Sequence, residues 1–342
     1  MFTKLVIKPK MKAEELFEQL GIARADYEDL HIIRVLSSFV GISRGRVIAM
    51  TEPVLEFCPL VSCLYPGTKG LCGSEKTKEA IKEIIAEKIS TLGHFTDKRL
   101  LQGRDIAVPY GASEMLMYAL RKKVIDSAVV VCDGAGTVIT DRPDVVQGIG
   151  ARINGLFYTS AIGKVTDGLR RLGCSLPFAE TADIDQIGGL DKAARLGYKK
   201  IGVTINACMD DLSKVGQIEN NYNVEVISLV VCTTGINVEE LALVRKYADL
   251  VWSCASAGVR KLGGKAILQL STAIPVFVLT AKGLKLVAAY SDDKLIEKLD
   301  TKKQYLVSGT HRGQRIKMGN FAAYLSEQRL PVRSLREPRP LR

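Results

Sequence analysis

The sequence contains few of the residue types on which motif-defined enzymes depend. Its 342 residues include three histidines, His31, His94 and His311, and one tryptophan. It holds no Ser-His-Asp order, no nucleophile elbow, no His-Glu-x-x-His zinc signature, no kinase signature and no P-loop. These absences argue against the common hydrolases, zinc proteases and phosphotransferases that such motifs define.

Long apolar runs are also missing. No stretch of about 18 apolar residues occurs, and the opening Met1-Phe2-Thr3-Lys4 does not begin a secretory signal. We therefore expect a soluble, cytoplasmic protein that neither spans a membrane nor is secreted by that route. With 47% hydrophobic and 25% charged residues, the composition is that of an ordinary globular protein.

Positive charge is concentrated near the C-terminus. The net charge is +11, and residues 302–342 contribute ten Lys and Arg against Glu327 and Glu337, which leaves a surplus of three for the first 301 residues. A tail this rich in Pro and Arg is expected to be solvated or draped over a surface. The alternative is docking on an acidic protein partner. Nucleic acid is the weaker candidate, because no aromatic residues interleave the basic ones.

Strands, turns and helices alternate from residue 105 onward. Apolar runs predict strands at 106–108, 127–132, 200–205, 224–231, 250–252 and 275–279, and helices at 113–123, 162–172, 186–196 and 238–247. Continuous β-branched runs of this kind indicate parallel strands covered on both faces. We predict an α/β fold, with a mainly parallel doubly wound sheet and a smaller N-terminal α+β region.

The chain is expected to divide into three parts. Residues 1–100 form the α+β region with a Cys-containing loop, residues 101–300 form the ligand-binding core, and residues 301–342 form a hairpin followed by the basic tail. Within the first part, helices are predicted at 11–20 and 75–92, and strands at 31–36 and 46–50.

Small, hydroxylic and Gly-containing turns follow the predicted strands. Because open α/β sheets bind ligands beyond the carboxyl ends of their strands, we expect the segments after residues 108, 131, 205, 231, 252 and 279 to meet at one edge. Backbone N–H groups and helix N-termini there can bind phosphate or carboxylate. The candidate ligand-binding residues are Gly111, Ala112, Ser113, Glu114, Gly134, Gly136, Thr137, Thr233, Thr234, Gly235 and Ser256.

Three residues in these turns are candidates for chemistry. Asp133 is the preferred functional carboxylate, as a base or metal ligand, and Cys132 and Cys254 are the preferred thiols. Replacing Asp133 by Asn is expected to abolish activity or ligand retention without lowering thermal stability. The alternatives are N-capping by Asp133, plain packing of the cysteines, or ligation of a metal or iron–sulfur centre by thiolates that include Cys208 and Cys232.

A second group of thiols lies in the N-terminal part. Cys58, Cys63 and Cys72 fall within fifteen residues and are candidate ligands of a metal or iron–sulfur site, although their spacing matches no standard ferredoxin or zinc pattern. Reduced structural or redox-active thiols are the alternative. Without an export signal, all eight cysteines are expected to be reduced, and their number favours an oxygen-poor habitat.

Several long strings carry a family resemblance. They cover most of residues 105–280 and are Tyr110-Gly-Ala-Ser-Glu-Met-Leu-Met, Val131-Cys-Asp-Gly-Ala-Gly-Thr-Val, the segment from Val146 to Leu156, Thr233-Thr-Gly-Ile and Ser253-Cys-Ala-Ser. In these strings the chain resembles the archaeal family called methanogenesis marker protein 8, which also has bacterial relatives. The resemblance implies a link to anaerobic one-carbon, coenzyme or metallocofactor metabolism and carries over no catalytic residues.

Two hypotheses about function follow. The first is a homo-oligomeric enzyme or cofactor-maturation protein that binds a small anionic metabolite, a phosphate-containing ligand or a metallocofactor at the strand ends. The second is a non-catalytic subunit or assembly factor whose cysteines only pack and whose basic tail docks on a partner.

Overall fold

A computed structural model describes residues 11–65, 74–291, 294–300, 302–310 and 312–342. Its helices, in chain order, are α1 (Ala13–Leu20), α2 (Pro59–Leu64), α3 (Ser74–Leu92), α4 (Ala112–Arg121), α5 (Pro143–Gly150), α6 (Gly163–Arg171), α7 (Gln186–Arg195), α8 (Ser213–Tyr222), α9 (Val238–Tyr247), α10 (Ala257–Lys261) and α11 (Ala281–Tyr290). Within the described ranges, no helix is long and apolar enough to cross a membrane.

The strands form two separate sheets. In chain order they are β1 (His31–Val35), β2 (Ser38–Ser43), β3 (Arg46–Met50), β4 (Ser127–Cys132), β5 (Gly136–Thr140), β6 (Gly155–Thr159), β7 (Lys200–Asn206), β8 (Glu225–Val231), β9 (Leu250–Trp252), β10 (Leu268–Leu270), β11 (Val276–Val278), β12 (Tyr305–Ser308), β13 (Gln314–Met318) and β14 (Phe321–Glu327). The small sheet has the order β3-β2-β1-β6, and the large sheet has the order β13-β14-β12-β10-β11-β9-β8-β7-β4-β5.

The centre of the large sheet is parallel. Strands β4, β7, β8 and β9 run in the same direction side by side. Alternate residues of β4 face opposite sides, because side chains on a strand alternate: Val130 packs in a core with α4, α5 and α11, and Val129 packs in a core with α7, α8 and α9. Helices therefore cover both faces, which explains the continuous apolar runs in these strands.

The α/β class is confirmed, but the prediction of a mainly parallel sheet is wrong, because the sheet is mixed. Strand β11 runs antiparallel to both β9 and β10, and β5, β13 and β14 also pair in antiparallel fashion. Only five residues separate β10 from β11, whereas a parallel crossover needs about a dozen or more. The sequence analysis missed the three-residue strand β10 and so counted β11 as a parallel strand.

The strand predicted at 106–108 is also wrong. These residues form a loop that precedes α4. The amides of Ala107 and Val108 donate to Glu114 Oε1 at 3.1 and 2.9 Å instead of to a neighbouring strand. The carboxylate of Glu114, in the first turn of α4, thus accepts the backbone hydrogen bonds that a neighbouring strand would accept if these three apolar residues formed a strand.

The C-terminal residues pack on the rest of the chain. Strand β12 extends the large sheet beside β10, and β14 pairs with both β12 and β13. The hairpin is therefore formed by β13 and β14, whereas β12 and β13 are not neighbours in the sheet. His311 lies outside the described residues.

The small sheet lies across the carboxyl ends of the parallel strands. Side chains from its strands, such as Ile33 and Leu156, share a buried cluster with Ala255, which follows β9. On the other side of the small sheet, Phe39 and Phe157 share a cluster with Cys208, which follows β7. This contact leaves a cleft between the two sheets at the edge where the sequence predicts a site.

The packing of the turn between β4 and β5 against Ala182 can be tested by substitution of a glycine. Gly136 has φ +67°, and a Cβ at this position would collide with the carbonyl group of Ala182. We expect Gly136→Ala to lower the free energy of unfolding by about 3 kcal/mol or more, because backbone strain adds to the collision. Gly173→Ala is the control, since Gly173 has φ +82° with nothing within 4 Å of its Cβ position, and should cost only about 1 kcal/mol. Equal losses in denaturant titrations would contradict the packing described.

Candidate functional site

Four of the six segments predicted to meet border one cleft, and the fifth, after residue 131, reaches it only through Val131 at the end of β4. Its walls include Val108, Val131, Asn206, Cys232 and Trp252, which lie at or directly after the predicted strands. On the opposite side the cleft is closed by residues 152–156 of the small sheet and the loop before it. The predicted edge therefore forms a shared cavity.

The sixth segment, after Leu279, lies elsewhere. Thr280 Oγ1 donates to Asp249 Oδ1 at 2.5 Å, and Asp249 precedes β9 rather than following it. Because β11 is antiparallel to β9, its carboxyl end points to the opposite edge of the sheet. The expectation for this segment is wrong for the same reason as the prediction of a mainly parallel sheet: both treat β11 as parallel to its neighbours.

The cleft contains two adjoining chambers. We call the first, of about 220 Å³, the amide chamber; it is bordered by Gly111–Glu114, Gln186 and Asn206. We call the second, of about 250 Å³, the thiol chamber; it is bordered by Arg34, Cys58, Cys232 and Cys254. Val231, Cys232 and Trp252 contribute to the walls of both.

The N-terminus of α4 opens on the amide chamber. The helix begins at Ala112, after Gly111, and no side chain caps it. Glu114 does not occupy its own first-turn amides, because its carboxylate accepts from the loop amides of Ala107 and Val108 and from Ser113 Oγ. Uncapped first-turn N–H groups at such an end favour an acceptor or an anion.

Two buried amide side chains in the same chamber have incomplete hydrogen bonding. Asn206 Oδ1 accepts from the amide of Cys208 at 3.0 Å, and Gln186 Nε2 donates to the carbonyl oxygen of Thr204 at 2.9 Å. Their other atoms, Asn206 Nδ2 and Gln186 Oε1, have no partner among the described residues. The two side chains are only 7% and 1% exposed. A buried unpaired donor or acceptor is costly, so these atoms indicate a place for a ligand.

The thiol chamber is built on two strained residues. Cys232 and Cys254 follow β8 and β9 with φ +58° and +44°, a region that residues other than glycine rarely adopt. A guanidinium group holds each carbonyl oxygen: Arg34 Nη2 donates to Cys232 O, and Arg260 Nη2 donates to Cys254 O, both at 2.8 Å. Strain of this kind is concentrated at functional sites.

Burial keeps Cys58 and Cys232 protonated. It raises the pKa of Cys232 to about 12 and also raises the pKa values of Cys58 and Cys208 above their ordinary range. Nucleophilic attack needs the thiolate, so these thiols are not activated as they stand. Close packing also fixes Cys232, because a Cβ on Gly155 would come within 2.6 Å of its Sγ.

Arg34 brings a positive charge to this cleft. Its guanidinium lies 5.0 Å from the centre of the Phe157 ring and donates to the carbonyl oxygens of Cys232 and Thr234. No ion pair joins it to a carboxylate within the part of the chain that the structure describes. A half-buried cation with only neutral partners favours an anion nearby.

Asp133 lies outside the cleft, in a buried cluster of charged groups. It is fully buried, and its carboxylate accepts from Arg99 Nε at 2.9 Å and the amide of Phe95 at 2.6 Å and contacts His94 Nδ1 at 3.0 Å. Burial alone would raise the pKa of Asp133, but Arg99 and His94 outweigh it and hold the pKa well below its usual range. This geometry gives Asp133 a structural role and no access to a ligand.

The rest of the turn after β4 also serves the fold. Cys132 is fully buried, the amide of Gly134 donates to Thr159 Oγ1 at 2.8 Å, and the amide of Thr137 donates to Asp183 O at 3.0 Å. Gly136 packs against Ala182. These residues connect β4 and β5 to β6 and to the loop before α7.

The predicted residues after β8 and β9 mostly support neighbouring turns. Thr233 Oγ1 donates to Trp252 O at 2.7 Å, Thr234 Oγ1 accepts from the amide of Ala255 at 3.1 Å, and Ser256 caps α10 through Val259. Gly235 has φ +80° and is exposed. Thr234 and Cys254 border the thiol chamber.

The three cysteines proposed as metal ligands do not come together among the described residues. Cys58 borders the thiol chamber, whereas Cys63 is exposed on α2, and Cys72 lies outside the described residues. In the described ranges, no group of three or more His, Cys, Asp and Glu side chains is arranged to hold a metal ion.

Sequence analysis missed residues that shape the cleft from the small-sheet side. Lys88 is one of them: its ammonium group donates to Arg152 O and to Asn154 Oδ1, and Arg152 and Asn154 border both chambers. Burial lowers the pKa of Lys88 to about 7. The sequence did contain a signal for Lys88. Lys88 follows the buried residues Ile81, Ile84 and Ile85 of α3 by seven, four and three positions, a spacing that places a lysine on the apolar face of a helix.

Comparison with known proteins gives the family. A family model described as an uncharacterized protein conserved in archaea (DUF2099) matches residues 31–290. The chain belongs to this family. The family match extends from β1 to α11 and so spans both sheets at the cleft. A relative described as uncharacterized protein MJ0054, from Methanocaldococcus jannaschii, is 40% identical over 268 residues, which are 78% of this chain and 92% of the relative.

The geometry reverses the sequence-based expectation for Asp133→Asn. We expect the substitution to lower the free energy of unfolding by about 3 kcal/mol or more, because it leaves Arg99 buried without its counter-charge. Asp167→Asn is the control, since Asp167 pairs with Arg170 on the exposed face of α6 and should change stability by less than about 0.5 kcal/mol. Denaturant titrations at pH 7 measure both. A variant as stable as the wild type would refute the structural role.

Lys88 makes stability depend on pH in a defined direction. Because its pKa is lowered to about 7 from an ordinary value of 10.5, the unfolded chain binds more protons than the folded one between these values, and folding stability rises with pH there. Between pH 7 and 8.5 the free energy of unfolding of the wild type should rise by about 1–2 kcal/mol more than that of Lys88→Met. Lys82→Met, at an exposed position of α3, should keep the wild-type slope. Parallel curves for wild type and Lys88→Met would contradict the assignment.

Proposed function

We propose that this protein binds a small anionic organic metabolite or cofactor in the cleft between its two sheets, as an enzyme or cofactor-maturation protein. The observation that carries the proposal is the unpaired Nδ2 of buried Asn206, in the same chamber as the uncapped N-terminus of α4. A ligand oxygen that accepts from both would satisfy donors that the chain itself leaves open.

The polarity of the site supports an anion that also carries a donor. Arg34 supplies positive charge to the adjoining chamber, and the α4 N-terminus favours negative charge. Gln186 Oε1 is an unpaired acceptor and requires an N–H or O–H group of the ligand. The orientations of both amide side chains are fixed by their other hydrogen bonds, to Cys208 N and Thr204 O.

The shape of the site supports an organic ligand rather than a bare inorganic ion. Most of the remaining wall is apolar and includes Val131, Ile153, Leu156 and Trp252. Small-molecule sites typically combine such walls with a few polar groups that fix orientation. The two chambers share this wall, so one elongated molecule can occupy both.

The metabolic setting remains part of the proposal. The resemblance to methanogenesis marker protein 8 and the reduced thiols favour anaerobic one-carbon, coenzyme or metallocofactor metabolism. A thiolate-bound metal or iron–sulfur centre would have to be brought by the ligand or completed by further donors, because no such group is preassembled within the described ranges.

The alternative function, docking of the basic tail on a partner, has less support. The backbone of the tail pairs with its own chain: Glu56 N donates to Arg339 O at 2.8 Å, and Arg342 N donates to Ala255 O at 2.7 Å. A tail bound in this way has fewer groups to offer to another protein. The structural reading of the cysteines still applies to Cys132, which is fully buried away from the cleft.

The proposal is tested by an inventory of bound molecules. The protein is purified without oxygen and denatured, and the released compounds and metals are identified and counted by mass spectrometry. Asn206→Asp keeps the acceptor for the Cys208 amide, removes the donor and adds a negative charge beside the proposed anion. We expect the wild type to release an organic anion in near-stoichiometric amount and the variant to retain at least about tenfold less.

Asn220→Asp is the matched control, because Asn220 is exposed on α8, and it should retain ligand as the wild type does. Equal retention by Asn206→Asp and the wild type would refute the role of Asn206. The absence of any stoichiometric small molecule from anaerobic wild-type protein would count against the proposed function itself.

A further inference from the structure

The C-terminal residues 330–342, which we call the strap, cross the mouth of the thiol chamber. At one end, Val332 N donates to Gln269 Oε1 at 2.9 Å, and Gln269 Nε2 donates to Val332 O at 2.8 Å. Further along, Arg339 pairs with Phe57 in an isolated antiparallel bridge. At the far end, Arg342 pairs with the backbone of Ala255 and Ala257.

These anchor points flank the thiols of the chamber. Phe57 precedes Cys58, and Ala255 follows Cys254, so the strap connects the two segments that supply these cysteines. Pro338, directly before Arg339, contributes to the chamber wall itself. The strap therefore lies beside Cys58 and Cys254, which are half-buried, rather than on a distant surface.

One buried ion pair joins the strap to the chamber. Glu337 Oε1 lies 3.3 Å from Arg260 Nη1, and the two side chains are only 8% and 9% exposed. Arg260 also donates to Cys254 O at 2.8 Å and to Ala273 O at 3.2 Å. The guanidinium that holds the strained turn of Cys254 thus holds the strap as well.

The strap has the features of a segment that opens locally. It adds no strand to either sheet, and Leu335 is fully exposed. Beyond Val332, its attachment rests on a few backbone hydrogen bonds, on the Arg260–Glu337 pair and on the contact of Arg339 with the Phe57 ring. Segments with few buried apolar contacts open at a small fraction of the global free energy of unfolding.

We propose that the strap is the gate of the thiol chamber and that the Arg260–Glu337 pair is its latch. When the pair separates, the strap lifts from the Phe57 and Ala255 anchors, and the half-buried Cys58 and Cys254 become fully accessible. Arg260 is a positioning residue in this scheme. Its guanidinium donates to the carbonyl oxygen of Cys254, and release of Glu337 removes the carboxylate with which that guanidinium pairs. The gate needs no ligand, so it stands or falls independently of the proposed function.

The cysteines of the chain provide the assay. Full-length protein is treated with iodoacetamide without oxygen, and the rate of alkylation at each cysteine is followed by mass spectrometry. Cys63, exposed on α2, serves as the reference for full access, and Cys132, fully buried in the core, serves as the reference for global unfolding. In the wild type, Cys58 and Cys254 should react much more slowly than Cys63.

Glu337→Gln removes the charge of the latch and keeps its size. We expect alkylation of Cys58 and Cys254 to become about tenfold faster, with Cys63 and Cys132 unchanged, because the loss of a buried partner favours the open strap. Glu327→Gln is the matched control. Glu327, the last residue of β14, pairs with Lys303 at an exposed position, and loss of this pair should leave all alkylation rates at their wild-type values.

Two results would overturn the gate. One is a wild-type rate at Cys254 equal to that at Cys63, and the other is an unchanged rate at Cys254 in Glu337→Gln. If Glu337→Gln unfolds, shown by alkylation of Cys132, Arg339→Gln decides the question, because the exposed Arg339 side chain lies over the Phe57 ring and its loss weakens the attachment of the strap without emptying a buried site. A twofold or larger rise at Cys254 supports the gate, and no rise overturns it.

Discussion

The contact of Arg34 with the end of β8 brings the two sheets together at the cleft. Its guanidinium extends from the small sheet to the carbonyl oxygens of Cys232 and Thr234, so one side chain both joins the sheets and fixes a strained strand end. The cleft exists because the small sheet covers the carboxyl edge of the large one without filling it. The buried cluster around Asp133 supports the same arrangement from the side of β4, since it ties that strand to the segment after α3.

The parallel core of the fold could be predicted from the sequence. Continuous apolar runs gave β4, β7, β8 and β9 almost residue for residue, and helical periodicity gave α3, α7 and α9. Short strands could not be found in this way, because β10 and β11 have three residues each and carry no periodicity. Strand direction follows from partners far apart in sequence, so the mixed character of the sheet became visible only in three dimensions.

For the candidate site, the sequence predicted the location of the cleft better than the residues that line it. The rule that ligands bind at the carboxyl ends of parallel strands located the cleft, and Gly111–Glu114 and Cys254 do border it. Hydroxyl and carboxylate groups in the turns, such as Asp133 and Thr233, instead satisfy the backbone and charges of their own chain. The residues that complete the cleft, Arg34 and Asn154, come from the small sheet and the loop before it, and no local pattern connects them to the strand ends.

The position of Trp252 has a consequence for observing this molecule. The single indole of the chain lies in the partition between the two chambers, and its N–H donates to Tyr110 O at 3.0 Å. Its emission therefore comes from one place, the wall that the two chambers share. The protein carries its own optical probe of occupancy, and no label has to be introduced to follow events inside the cleft.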